Sequence, residues 1–135
     1  SGNVGDDPLA GGTGNDDLYG GDGNDTFTGG GGLDGFRFDR PLDEATNVDS
    51  ILDFSTVEDT ILLDRDVFTT IAKGNLAAGA FAAGTTAPDA DDRIPYDAAT
   101  GQILFDADGS GGAAALLFAT VTPGTALTHL DFVVY

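Results

Sequence analysis

The chain has 135 residues, with 23 Asp or Glu against 5 Lys or Arg and a formal net charge of −18. A balance this acidic excludes nucleic acid and anionic membrane surfaces as partners, because both are gripped through Lys and Arg. Cysteine is absent and His129 is the only histidine, which removes disulfide staples, thiol nucleophiles and two-histidine metal sites, and the length fits one domain or one repeat array with a cap.

From the N-terminus the chain is a repeat. Residues 11–37 read GGTGNDDLY, GGDGNDTFT and GGGGLDGFR, three nine-residue units without a gap. Residues 2–10, GNVGDDPLA, fit the same frame with Asn3 in place of the second glycine. The sixth positions are Asp7, Asp16, Asp25 and Asp34, and the eighth are Leu9, Leu18, Phe27 and Phe36. Glycines at the first, second and fourth positions allow tight turns that aim carbonyl oxygens inward, and the aspartate adds a full negative charge beside them. A calcium ion takes six to eight such oxygens at roughly 2.3–2.6 Å. The end of each unit is extended and buries one apolar side chain, so each unit is half a coil. Turns two units apart stack, and the ion belongs between them. A flexible Gly-Asp linker would not hold an aspartate and an apolar residue in phase through successive units.

The pattern GGxGxDxUx, with U a large apolar residue, resembles the calcium-binding nonapeptide of RTX proteins. That resemblance implies an all-β fold, a right-handed parallel β-roll closed by a C-terminal β-rich cap. It also implies that one turn gives its second, fourth and sixth positions to an ion and the turn two units later its first, third and sixth. A first site then takes Asn3, Gly5 and Asp7 with Gly20, Asp22 and Asp25. A second takes Gly12, Gly14 and Asp16 with Gly29, Gly31 and Asp34. Most of these supply carbonyls, and only the sixth-position aspartates supply carboxylates.

Beyond Phe36-Arg37-Phe38, the last strand in phase, the period breaks. Asp39-Arg40-Pro41 is a turn and DEATN (43–47) a loop. VDSILDF (48–54) and DTILLD (59–64) read as two further strands around the turn STVE. They resemble the segment that closes the β-roll of serralysin-type secreted proteases. The resemblance implies a third calcium site in which Gly21, Gly23 and Asp25 meet Asp49 or Asp53. Solvation of a strand face or capping of a turn is the equally good reading of those two acids. Residues 1–64 thus form the calcium-binding roll with its closing strands, and 65–135 a cap packed on it.

Within the cap, DRDVFTTIA (64–72) has Val67, Phe68 and Ile71 at helical spacing behind a capping aspartate, enough for one or two turns. Leu76 to Phe81 suits one helical turn, and Asp89 to Asp92 an exposed loop. RIPYD and QILFD flank AATG as a hairpin, with Pro95 confining its first arm to a sheet edge. DADGSG (106–111) looks like the opening of an EF-hand loop, but its twelfth position is Leu117 where a glutamate is needed, so a polar turn is the simpler reading. AAALLFATV and Phe132 to Val134 close the chain as strands.

No catalytic constellation is present. The four serines show no G-x-S-x-G elbow, and any enzymatic activity is expected upstream, in a longer protein of which this chain is a fragment opening in mid-repeat. No transmembrane run or signal peptide stands out. The end, Asp131-Phe132-Val133-Val134 before Tyr135, resembles the acidic residue plus three hydrophobics that closes many serralysin-type proteases, with Tyr135 as the departure. In that family the end is read by a type I ABC exporter. The whole reading is a calcium-binding module, holding two or more ions, that drives calcium-triggered folding and type I secretion of a larger extracellular bacterial protein. Its partners are calcium, the exporter and its own upstream domains. The alternative is an extracellular adhesin or polysaccharide-binding module in which calcium is structural.

Overall fold

Every second residue of an extended segment faces inward, and this places the eighth position of each repeat at the centre of the molecule. The computed structural model describes residues 1–135, and its strands run in chain order: β1 (Pro8–Thr13), β2 (Asp17–Tyr19), β3 (Thr26–Gly31), β4 (Gly35–Phe38), β5 (Asp49–Ile51) and β6 (Thr60–Leu63), then β7 (Gly74–Asn75), β8 (Phe81–Ala83), β9 (Ile94–Asp97), β10 (Gln102–Phe105), β11 (Leu116–Val121) and β12 (Phe132–Val134). They form two sheets, one ordered β1-β3-β5-β11-β10-β9-β8 and the other β2-β4-β6-β12-β7. From β1 to β6 successive strands alternate between the sheets, and each of β1 to β4 pairs in parallel with the strand two further on. The molecule is an all-β parallel β-roll.

Registers align the apolar positions into two columns. Leu9 stands on Phe27, Phe27 on Ile51, and Ile51 on Val121. In the facing sheet Leu18 stands on Phe36, Phe36 on Ile61, and Ile61 on Phe132. Phe27, Phe36, Ile61 and Phe132 are fully buried, each contributing about 1.5–3 kcal/mol of burial, and the Phe27 and Phe36 rings meet across the roll at 5.8 Å. The last two pairs in these columns show how the chain closes. It leaves the roll after Leu63, and β11 and β12 return to lay a fourth coil on the three built by residues 8–63. The intervening segment covers the end, with Phe68 packed edge-on against Phe105 and Phe118 at 5.0 Å each. A single core of 22 buried residues runs from Leu9 to Val134.

The cap differs from the sequence expectation in three places. Residues 64–72 are consecutive turns, not a helix: the carbonyl of Asp64 accepts from Val67 N and Phe68 N, and that of Phe68 from Ile71 N. Burying Phe68 and Ile71 needs only those turns, and the Asp64 side chain holds Asp66 N at 2.7 Å. Around 76–81 the helical turn is a short 3-10 segment at Ala78–Ala80, and Phe81 opens β8. The hairpin of β9 and β10 forms, but β9 is not an edge, since β8 pairs with it in parallel, Ala82 opposite Pro95. Arg93 N donates to Ala80 O on the β8 side. Arg93 O, by contrast, accepts from Asp106 N on the β10 side, and Pro95, two residues on, faces that way, so its missing N–H weakens the β10 pair, whose register stops at Tyr96 opposite Ile103.

Candidate calcium site: two columns of aspartates in the turns

The turns that join the sheets also stack, on two sides of the roll. On one side Asp7, Asp25 and Asp49 lie above one another; on the other, Asp16, Asp34 and Asp59. Each aspartate reaches back to the rung before it. Asp7 N donates to Asp25 Oδ1 and Asp25 N to Asp49 Oδ1, both at 2.9 Å. Asp16 N donates to Asp34 Oδ1 at 2.9 Å and Asp34 N to Asp59 Oδ1 at 3.1 Å. One oxygen of each lower carboxylate therefore belongs to the backbone ladder. The Oδ2 atoms of Asp25 and Asp34, and that of Asp16 at the head of its column, are buried and have no hydrogen-bond partner. A buried carboxylate oxygen without a donor is strongly disfavoured unless a cation faces it.

The residues expected to form the first site are brought together. Gly5 N donates to Asp22 O at 2.7 Å and Asp22 N to Asn3 O at 3.0 Å, so the turns at 2–7 and 20–25 are in contact. At the second site Gly12 pairs with Gly30 and Thr13 with Gly31, and Gly14 N donates to Gly31 O at 2.7 Å. The carbonyls of Asn3, Asp22 and Gly31 each accept one N–H and keep a second lone pair. The approach is so close that a side chain is excluded at Gly21 and Gly30. Their φ values are +104° and +101°, and a Cβ would land on Asn3 O or Gly12 O respectively. No three His, Cys, Asp or Glu side chains converge anywhere. A rung supplies only two carboxylates, so any ion held here takes the rest of its shell from carbonyls, which suits a hard cation such as calcium.

For the third rung the structure separates the two acids left open by the sequence. Asp49 joins Asp25. Asp53 does not approach Gly21 or Gly23; its two oxygens accept from Gly29 N at 2.8 Å and Gly30 N at 2.9 Å in the other column. The reason is topological, since β5 ends at Ile51 and residues 52–59 form a turn on the opposite side of the roll. That turn ends in Asp59, a rung that sequence reasoning missed. The offset between rungs grows from 18 residues to 24 and 25 there, so Asp59 lies out of phase with the repeat. Beside Asp49 is a cavity of about 10 Å³ lined by Gly21, Arg37, Arg40 and Asn47, and the Asn47 Oδ1 is buried without a partner.

A further ladder was legible only as a recurrence of Asp or Asn at the fifth position. Asp6 Oδ1 accepts from Asn24 N, Asn15 Oδ1 from Leu33 N, and Asn24 Oδ1 from Val48 N, at 2.8–2.9 Å. These side chains tie turn to turn outside the carboxylate columns.

Burial pushes the Asp49 carboxyl up to about 7, with the charge of Asp25 adding to the rise and the hydrogen bond from Asp25 N opposing it. Asp25 and Asp59 are raised as well, first by burial. By contrast, DADGSG is a turn between strands β10 and β11 that spends its side chains on its own backbone: Asp106 Oδ1 accepts from Asp108 N and Asp108 Oδ2 from Ala113 N, while Ser110 N donates to Asp89 O. Asp92, expected to be exposed, is buried and takes Asp89 N at 2.7 Å.

Stacked glycine turns with paired aspartates between two parallel sheets define a calcium-binding β-roll. The family model of the RTX calcium-binding nonapeptide repeat matches residues 1–35, in four copies. Among solved structures the chain is similar to the solution structure of the AlgE6R3 subunit from the Azotobacter vinelandii mannuronan C5-epimerase. The two share 23% identity over 98% of this chain and 80% of that one, with a TM-score of 0.51, a likeness of fold. No curated protein sequence matches the chain significantly.

Proposed function

We propose that this chain is the calcium-triggered folding module of a larger secreted protein and that it leaves the cell through a type I exporter. The observation that carries the reading is the set of buried, donorless carboxylate oxygens on Asp16, Asp25 and Asp34, in a chain of net charge −18. Without a cation at those oxygens, desolvation and mutual repulsion oppose the stacked turns. With calcium between the turns they hold the roll together, so metal binding and folding are one event. Asn3, Gly5, Asp7, Gly20, Asp22 and Asp25 hold one ion; Gly12, Gly14, Asp16, Gly29, Gly31 and Asp34 hold another. Gly21, Gly23, Asp25 and Asp49 form a weaker third site, because Arg37 and Arg40 line the same cavity.

In low-calcium cytosol the chain stays unfolded and passes the exporter with its 131–135 end leading. It folds outside, where calcium is abundant, and carries no catalytic site of its own. The rival reading, a polysaccharide-binding or adhesive surface, lacks a basic groove: Arg37 and Arg40 face Asp17, Asp22 and Asp39, and Arg93 donates to Ala90 O and Asp92 O. Far-ultraviolet circular dichroism tests the proposal. The chelated chain is expected to be largely disordered and to gain β signal on calcium addition, while magnesium, which demands a small octahedral shell and holds its waters, does little. A fully folded chain in excess chelator overturns it.

A further inference from the structure

Tyr135 is the residue by which the C-terminus departs from an acidic-plus-three-hydrophobics ending, and it has a specific seat. The Arg37 guanidinium lies 4.8 Å from the Tyr135 ring centroid and 5.0 Å from that of Tyr19. Its Nη2 donates to Asp17 Oδ2 at 3.0 Å. Arg37 is the only basic residue among residues 1–38, so within the calcium-binding repeats the one side-chain cation is committed to the chain end. The backbone agrees: Tyr135 N donates to Leu63 O at 3.1 Å, and Arg65 N to Tyr135 O at 3.2 Å. Just before it, Asp131, Phe132 and Val134 are 5%, 0% and 1% exposed.

We propose that Tyr19, Arg37 and Tyr135 form a latch that keeps residues 131–135 inside the roll only while the repeat coils are folded, so that filling the turns shields that segment. The coupling follows from position. Tyr19 and Arg37 are the ninth residues of their repeats and stand opposite each other in β2 and β4. Those strands issue directly from the turns that end in Asp16 and Asp34. Losing the order of that rung separates Tyr19 and Asp17 from Arg37, and the guanidinium loses the frame that presents it to Tyr135. A cation held between two aromatic faces, with a carboxylate fixing its plane, is directional in a way that apolar packing is not. The inference goes beyond the export reading and stands whether or not the chain leaves the cell by that route.

Digestion with a serine carboxypeptidase, which needs no metal and so keeps its activity in chelator, tests the latch on the intact chain. In saturating calcium the wild-type end is expected to resist release of Tyr135 and Val134, and in chelator to be trimmed freely. Arg37→Met and Tyr135→Ala should each speed trimming in calcium by about tenfold, with the number of bound calcium ions by titration calorimetry unchanged. Tyr135→Ala lies outside the repeats and serves where Arg37→Met folds poorly. Unchanged protection in Tyr135→Ala overturns the proposal, because strand pairing alone then holds the tail. A matching loss of bound calcium in Tyr135→Ala overturns it too, because the residue then supports the whole fold and not the tail.

Discussion

Asp34 takes the backbone N–H of Asp16 on one oxygen, at 2.9 Å, and leaves its other oxygen buried with no partner. One carboxylate thus joins two repeats and faces a cation as well. Asp34 also donates its own N–H to Asp59, which makes it the middle rung of its column, whereas Asp16 has only one neighbour. Replacing Asp34 by Ala should therefore remove one bound calcium and lower stability by about 1–3 kcal/mol beyond the lost ion. Asp16→Ala should remove the same ion with a smaller additional loss. Calorimetric stoichiometry and calcium-saturated melting of the two variants check this, and loss of different ions by the two changes would refute the shared site.

The neighbouring Asp17 separates binding from stability. It lies in the repeat, half exposed, and pairs with Arg37, but it faces neither turn. Asp17→Ala should leave calcium stoichiometry unchanged and cost about 0–1 kcal/mol, as exposed ion pairs do. Asn15→Ala, which deprives Leu33 N of its acceptor, should likewise spare the ions and cost about 1 kcal/mol. Loss of an ion in either variant would mean the turn register assigned here is wrong.

The close approach of stacked turns gives a steric prediction. Gly30→Ala puts a methyl on the Gly12 carbonyl oxygen and forces alanine to a φ of +101°. Gly12 has a similar φ, but a Cβ there meets nothing. Both changes carry the backbone strain, of order 1–3 kcal/mol; only Gly30→Ala also separates the turns. Its calcium affinity should fall by more than tenfold relative to Gly12→Ala, as measured by competition with a fluorescent chelator.

Asp49 supplies a pH dependence. Its folded carboxyl titrates at about 7, above an unfolded value of about 3.9. Between those pH values the folded, metal-free chain holds a proton that the unfolded chain has released, so stability falls as pH rises through that window. Asp25 and Asp59, also raised, act in the same direction. Acid should therefore partly replace calcium: in chelator, the β signal in circular dichroism should be larger at pH 5 than at pH 7.5. Calcium binding at pH 6 should release protons, seen as a dependence of the apparent enthalpy on buffer ionisation. A metal-free chain that gains structure as pH rises would contradict the sign.

How far the sequence could be read depended on phase. Residues 2–37 repeat every nine positions, so the turns, inward Leu9, Leu18, Phe27 and Phe36, and the stacking of units two apart follow from the residues alone. Asp49 and Asp59 continue the same columns after longer loops, and a period cannot register a rung that arrives six or seven residues late. The return of β11 and β12 was hidden for another reason. Leu116–Val121 and Phe132–Val134 read as strands, but their partners, β5 and β6, lie far back in the chain, and no local pattern names them. Phe68 and Ile71 misled because a helix and a series of turns bury the same two side chains.

That returning coil changes what removal of the C-terminus should do. In sequence, residues 131–135 lie far from the repeats and suggest a tail that can be cut without touching the metal. In the fold, Phe132, Val133 and Val134 pair with Ile61, Leu62 and Leu63 on one side, and β7 pairs with them on the other. Phe132 also closes the column begun by Leu18, Phe36 and Ile61. Deleting 131–135 takes away a fully buried phenylalanine and a nearly buried valine, at about 3–5 kcal/mol for a residue like the former alone. The repeats keep all the residues assigned to the first two sites, so both ions should still bind. Their apparent affinity should drop by at least tenfold, because part of the binding free energy now goes into holding a roll without its fourth coil. Calcium titration of the truncated chain by circular dichroism gives the answer directly. A midpoint equal to that of the full chain would show that β12 lies outside the cooperative unit that calcium folds.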